Sequence, residues 1–249
     1  MRAPQHNLGV LGGMGPLATA EFLRSLAVSA PAATDQQHPR VLLLSEPTIP
    51  DRTEAVLTGD DAPLPALERG LLTLAGWGAD LLAVPCNTAH VYLDRLRGRL
   101  PVPVVDIVDA TLRESMRVSP AGGWLAASSG TVASGLYQRR AKALGYRVLV
   151  PDGVRRDAIH TAAVQVKANQ AAEAGDTLRE AVRSLWQRAR LPVIGACTEL
   201  PLAYAAADLP PAMMVSSLDA LAQACVRRLY GATPPLWVGA PYGEVGEAA

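Results

Sequence analysis

The chain has 249 residues, with 23 Lys and Arg against 23 Asp and Glu, so its formal net charge is zero. A hydrophobic share of 49% over this length suffices to bury one large core or two smaller ones. The charge balance leaves no electrostatic footprint for nucleic acid, no basic amphipathic helix marks a membrane surface, and the charge-free runs 3–20 and 118–138 carry too much Gly, Ser or Pro to span a bilayer.

Apolar runs and helical periodicity alternate along the chain. A strand over 8–11 leads through the loop GGMG into a helix over 16–30, with Pro16 in its first turn. A strand over 41–45, a helix over 65–78, a strand over 81–84, a helix over 89–99, a strand over 102–107 and a helix over 108–118 follow. The second series has strands over 124–127, 147–150, 193–196 and 213–216. Its helices cover 134–144, 154–169, 171–189 and 217–230. Strand–helix alternation predicts an α/β fold with mainly parallel sheets flanked by helices. The Pro/Gly-rich tail GATPPLWVGAPYG is expected to pack as an irregular extension. The start, MRAPQHNLGVLGG, lacks an apolar run long enough for a signal peptide. Three cysteines, an odd number, argue against a disulfide framework, and no Cys or His pair has zinc-site spacing. The expectation is a soluble cytoplasmic protein with free thiols and no metal.

The two series resemble each other. The first runs strand, GGMG, helix, strand, helices, then a strand ending in Cys86-Asn87-Thr88. The second runs strand, SSGT, helix, strand, helices, then a strand ending in Cys197-Thr198-Glu199. This predicts two pseudo-symmetric α/β units, 1–109 joined by a returning 215–249, and 110–214. Each presents a polar loop and a cysteine at strand carboxyl ends, the edge where ligands sit in open α/β sheets.

Gly13-Met14-Gly15-Pro16-Leu17-Ala18 also fits the dinucleotide pattern G-x-G-x-x-A. The acidic residue closing the next strand, Glu46, lies beyond the spacing of about 20 residues such a site needs, and Pro16 removes one N–H. That reading ranks low.

Cys86 and Cys197 each follow an apolar strand directly and precede small polar residues and a helix, whose free N–H groups favour thiolate. A single buried cysteine is commonly inert, and Cys225, inside a helical pattern, reads as core. Two in matching positions point to chemistry. A thiolate can take a proton from one face of a carbon acid while a thiol returns one to the other face, giving the mirror image. This needs no metal or electron-sink cofactor if the site stabilises the carbanion. Asn87, Thr88, Ser128, Ser129, Thr131 and Thr198 are candidate neutral donors, each equally an ordinary N-cap. Backbone N–H groups of the Gly13-Met14, Gly130 and cysteine loops can cradle a carboxylate at helix starts.

The stretches GVLGGMGPLATAEF, DQQHP, PDRT, PCNTAH, SSGTVASGLY and CTE, in this order, resemble the PLP-independent aspartate racemases of the aspartate/glutamate racemase superfamily over roughly residues 8–230. The resemblance implies two pseudo-symmetric α/β domains with the active site in the cleft between them, a homodimer, no cofactor and a small amino-acid or dicarboxylate substrate. It assigns the acid/base pair to Cys86 and Cys197, and the side-chain carboxylate to Arg52 and Lys167. It sets Asn87, Thr88, Thr131 and Thr198 around the amino and α-carboxylate groups. Arg52 stands in a Pro/Asp/Thr loop, where a guanidinium fork suits a second carboxylate. Lys167, taken by itself, reads as a solvated helix residue. CTE in place of CTH, and GGMGP in place of an Asp-Ser-Gly loop, favour the aspartate type over the glutamate type. Ala196 stands where the family usually has Gly, and SSGT where TTGT is commoner. Three roles stay open. His90 either tunes the thiol or orients a loop, or is simply packed in its helix. Glu199 either meets the substrate ammonium or caps a helix. Asp51 either holds Arg52 or forms a turn. Racemisation of glutamate or another amino acid is the near alternative. Decarboxylation or cis–trans isomerisation of a small dicarboxylate by a relative is the second.

Overall fold

The computed structural model describes Pro4 and residues 6–231. The tail from residue 232, and with it the expected irregular extension, lies outside the described residues.

The first sheet contains β1 (Leu8–Gly12), β2 (Val41–Ser45), β3 (Leu81–Ala83) and β4 (Val104–Val105), all parallel, in the order β2-β1-β3-β4. The second contains β5 (Gly123–Ala127), β6 (Val148–Leu149), β7 (Val193–Ala196) and β8 (Met214–Ser216), parallel, in the order β6-β5-β7-β8. The weak repeat is thus a repeat of topology. The central strands β1, β3, β5 and β7 are buried throughout, which is why they read as unbroken apolar runs.

The helices are α1 (Pro16–Ser29), α2 (Arg52–Thr58), α3 (Pro63–Gly76), α4 (His90–Leu96), α5 (Ile107–Val118), α6 (Ser129–Ala133), α7 (Leu136–Ala143), α8 (Gly153–Lys167), α9 (Ala171–Arg188), α10 (Leu200–Ala206) and α11 (Ser217–Tyr230). Two edge strands are shorter than their apolar runs. Over 102–107, Pro103 lacks an N–H and Asp106 leaves the sheet to cap α5, accepting from Val108 N at 2.8 Å and Asp109 N at 3.1 Å. Over 147–150, Pro151 closes the run. The helix expected over 134–144 is α7, and a separate short helix, α6, precedes it. Ser128 caps α6, and Gly135, at φ +66°, separates α6 from α7.

Helix α5 carries the chain from the first sheet to the second. Helix α11 leaves the second sheet and packs on α1 and α5, where Ser25 Oγ donates to Asp219 Oδ1 at 2.6 Å. A shared core joins the halves: Leu8 and Val10 of β1, Ile107 of α5, Leu125 of β5, Tyr137 of α7 and Leu221 of α11 belong to one buried cluster. Each sheet has a further core on its outer face. Among the described residues no helix is long and apolar enough to cross a membrane.

Candidate active site

The carboxyl ends of both sheets open onto one narrow cavity, with Met14, Asp51, Arg52, Thr53, Cys86, Asn87, Thr88, Ser128, Lys167, Cys197, Thr198 and Glu199 in its walls. The loops after β1, β3, β5 and β7 supply most of the wall. The N-terminus of α2 and the C-terminus of α8 close it.

Cys86 and Cys197, 6% and 8% exposed, enter from corresponding strands of the two sheets. The Cys197 thiol donates to Glu199 Oε2 at 3.1 Å, Thr198 Oγ1 donates to the same oxygen at 3.2 Å, and the Gly15 N–H donates to Glu199 Oε1 at 3.3 Å. Glu199 is 3% exposed. It therefore ties the second cysteine loop to the GGMGP loop across the cleft. Burial pushes the Cys197 thiol pKa well up, the Glu199 charge pushes it further, and Lys167 pulls against both. At Lys167 burial works to lower the pKa, but Glu199, Cys197 and Cys86 outweigh it and the ammonium is held charged. Lys167 is an exposed residue at the end of α8 and also lines the cavity. The cavity therefore takes one cationic group from the second half and one, Arg52, from the first.

Arg52 is a correction to its local setting. It is the first residue of α2, not a loop residue. Asp51 is the N-cap, its Oδ1 accepting from Thr53 N and Glu54 N at 2.8 Å each. Burial raises the Asp51 pKa, but the Glu54 N–H and the Lys167 and Arg52 charges bring it down. The buried Arg52 guanidinium donates through Nη1 to Ile49 O at 3.0 Å and Pro50 O at 3.1 Å, while its buried Nε has no partner among the described residues. The Nη1 bonds hold the plane of the guanidinium.

Three hydroxyls join the halves in a closed triangle. Thr88 Oγ1 lies 3.1 Å from Ser128 Oγ and 2.8 Å from Thr131 Oγ1, and Ser128 Oγ lies 3.1 Å from Thr131 Oγ1. Thr131 backs Thr88 and Ser128 from the interior and, like Ser129, is not among the lining residues. Gly13 is not in this wall either; it lines an adjoining groove with Gly15, Pro16 and Arg52. At φ +91° Gly13 runs so close to the next loop that a Cβ would sit 2.5 Å from Glu46 N. Asn87, 2% exposed, donates to Ser217 Oγ at 2.9 Å and accepts from Tyr137 OH at 2.6 Å. Met14, Thr88 and Thr198 line the cavity. Thr53 lines it too and was missed by the sequence reading; the Asp51 cap before it was the available signal. Cys225 is buried in α11, its thiol pushed up to about 12 by burial.

Behind Cys86 lies a buried polar cluster. His90 Nδ1 bonds to Cys86 O at 2.9 Å, and the Ile107 N–H donates to His90 Nε2 at 3.3 Å. Asp106, capping α5, pairs with Arg140 of α7 at 2.6 Å and with Arg97. Arg140 also pairs with Asp94 at 2.7 Å and Asp109 at 2.9 Å.

The chain matches the family model described as Asp/Glu/Hydantoin racemase over residues 11–225. It is similar to the broad specificity amino-acid racemase RacX of Bacillus subtilis, 27% identical over 197 residues, 78% of this chain and 85% of that protein. Among solved structures it is similar to an aspartate racemase of Picrophilus torridus, with 28% identity, a TM-score of 0.76 and coverage of 89% and 93% of the two chains. It also shares its fold with a glutamate racemase of Campylobacter jejuni, at 21% identity, a TM-score of 0.65 and coverage of 92% and 89%. With two parallel four-stranded sheets meeting at a cleft and this match over most of its length, the chain belongs to the Asp/Glu/Hydantoin racemase family.

Proposed function

We propose that the protein racemises an acidic amino acid, most directly aspartate, by two-base proton transfer without pyridoxal phosphate, working as a cytoplasmic homodimer. The observation that carries this reading is that Cys86 and Cys197 line one cavity from corresponding strands, β3 and β7. One cysteine, as thiolate, takes the Cα proton, and the electron pair of the broken C–H bond stays on the substrate as a carbanion. The other cysteine, as thiol, gives its proton to the opposite face. The protein ends with the two protonation states exchanged. The pair needs nearby cations to hold a negative charge in a buried site, and Lys167 and Arg52 supply them. The unpartnered Arg52 Nε edge receives the distal carboxylate. Asn87, Thr88 and Thr198 face the α-substituents.

A wider groove continues from Lys167 and Cys197 past Leu57, His160 and Val164. It favours a second reading in which side chains longer than that of aspartate are also accepted, in line with the name of the Bacillus relative. The test is L-aspartate, and a panel of longer amino acids, in deuterated water with the wild type, Cys86→Ala and Cys197→Ala. The expected product is D-aspartate with deuterium at Cα, lost in both variants. Variants that racemise as fast as the wild type sink the two-thiol reading. A panel in which only aspartate turns over removes the second reading.

A further inference from the structure

The mechanism leaves one buried group one helical turn from Cys86 unused. His90 is 1% exposed, and neither of its ring nitrogens faces the cavity wall. Its Nδ1 meets the Cys86 carbonyl at 2.9 Å, an acceptor only, so Nδ1 carries the proton. Its Nε2 meets the Ile107 N–H at 3.3 Å, a donor only, so Nε2 carries none. Both contacts together define one neutral tautomer. Burial likewise depresses its pKa, against the Asp106 charge and the Cys86 carbonyl, with Arg140 assisting the depression and Asp94 opposing it.

The two contacts belong to different elements. Cys86 sits in the turn between β3 and α4, while Ile107 is the first residue of α5, which leads into the second sheet. The residue before Ile107 is Asp106, paired with Arg140 of α7 in the second half. Cys86 is thus fixed to the scaffold that carries the opposing cysteine. No such tie is needed to satisfy His90 alone, since an exposed imidazole would find water. Its cost is a fully buried polar ring, which stays favourable only because both nitrogens are matched.

We propose that His90 is a positioning residue for Cys86: its Nδ1–H holds the Cys86 carbonyl while its Nε2 holds the start of α5, and this fixes the reach of the Cys86 sulfur toward the substrate. The proposal rests on the two-thiol reading. Asn at position 90 presents an N–H where Nδ1 stands, whereas Gln presents its carbonyl oxygen where Nε2 stands. His90→Asn therefore keeps the bond to Cys86, and His90→Gln keeps only the bond to α5.

The experiment compares wild type, His90→Asn, His90→Gln and His90→Leu by racemisation kinetics and by α-proton exchange of each aspartate enantiomer in deuterated water. The expected result is a kcat lowered about 10- to 100-fold in the Gln and Leu variants, the scale of a misplacement near 1 Å, with KM within about threefold of wild type and partial rescue by Asn. In those variants the enantiomer deprotonated by Cys197 still exchanges its proton without inverting. The enantiomer deprotonated by Cys86 loses exchange and inversion together. The ratio of the two exchange rates is internal to each sample, so it does not depend on the fraction folded. Equal losses for both enantiomers, or Gln performing as well as Asn, overturn the proposal. If Cys86→Ala and Cys197→Ala keep wild-type racemisation, the two-thiol reading itself has failed and this proposal with it. If those two variants are inactive and the His90 variants are not, only the role of His90 is lost.

Discussion

Replacing Asp106 tests how firmly the two halves are joined. Asp106 is 8% exposed, caps α5 through two N–H groups, and pairs with Arg140, itself 6% exposed, at 2.6 Å. Removing one partner of a buried pair costs about 3–5 kcal/mol. Arg140 keeps Asp94 and Asp109, both more than a third exposed, which places the loss at the lower end of that range. Asp106→Asn preserves the cap and removes the charge, so it should cost about 3 kcal/mol. Asp106→Ala also loses the cap, worth about 1 kcal/mol, for a total of about 4 kcal/mol. In a chain of this size that lowers Tm by about 8–16 °C. Urea unfolding at pH 7 of wild type, Asp106→Asn, Arg140→Met and the double variant checks the figure. The double variant should be milder than the sum of the singles by about 1–3 kcal/mol. A single-variant loss below about 1 kcal/mol, or simple additivity, would refute the reasoning. The pH dependence has a definite sign. Burial raises the Asp106 pKa, but the charged Arg140 and Arg97 guanidinium groups outweigh it and hold the carboxyl below the usual carboxylate range. Its stabilisation is full above the unfolded-state value of about 3.9 and is lost as pH falls from there through the depressed folded value. The gap between wild type and Asp106→Asn should close on acidification.

Glu199→Gln keeps an acceptor for the Cys197 thiol and removes the charge that holds the thiol up. In a Cys86→Ala background, ultraviolet thiolate absorbance should rise at lower pH than with Glu199, and Lys167→Met should shift it to higher pH; coincident curves would count against this charge assignment. Tyr137→Phe leaves the buried Asn87 Oδ1 without its 2.6 Å donor, a loss of about 1–3 kcal/mol measurable by chemical denaturation, with slower racemisation alongside. Gly130→Ala would place a Cβ 2.7 Å from Thr53 Cα, forcing α6 away from α2 at a cost of about 1–3 kcal/mol; unchanged stability and rate would show that the contact yields freely.

The central strands were legible because burial on both faces leaves no polar residue in runs such as those of β1 and β7. The edge strands β4 and β6 were overextended because an apolar run does not reveal which of its residues find a neighbour. Helices α2 and α6 are too short for periodicity and were not expected; their capping residues, Asp51 and Ser128, were the only local signal. The cysteines and Arg52 stood out through their loops and through resemblance. The contacts that assemble the cavity did not: Glu199 with Gly15, Thr88 with Thr131 and Asn87 with Tyr137 join segments far apart in the chain. Nothing local to either partner signals such a pairing.

The hydroxyl triangle of Thr88, Ser128 and Thr131 has a further consequence for recognition. Each hydroxyl has one proton, and circulating the three around the triangle uses every one of them. With the protons circulating in this sense, Thr88 and Ser128, the two members that line the cavity, offer it only lone pairs. Such a surface welcomes an ammonium and repels a carboxylate oxygen. Arg52 and Lys167, elsewhere in the same wall, offer only donors. On the function proposed above, that contrast turns the ammonium of an amino acid toward the hydroxyls and its carboxylates toward Arg52 and Lys167.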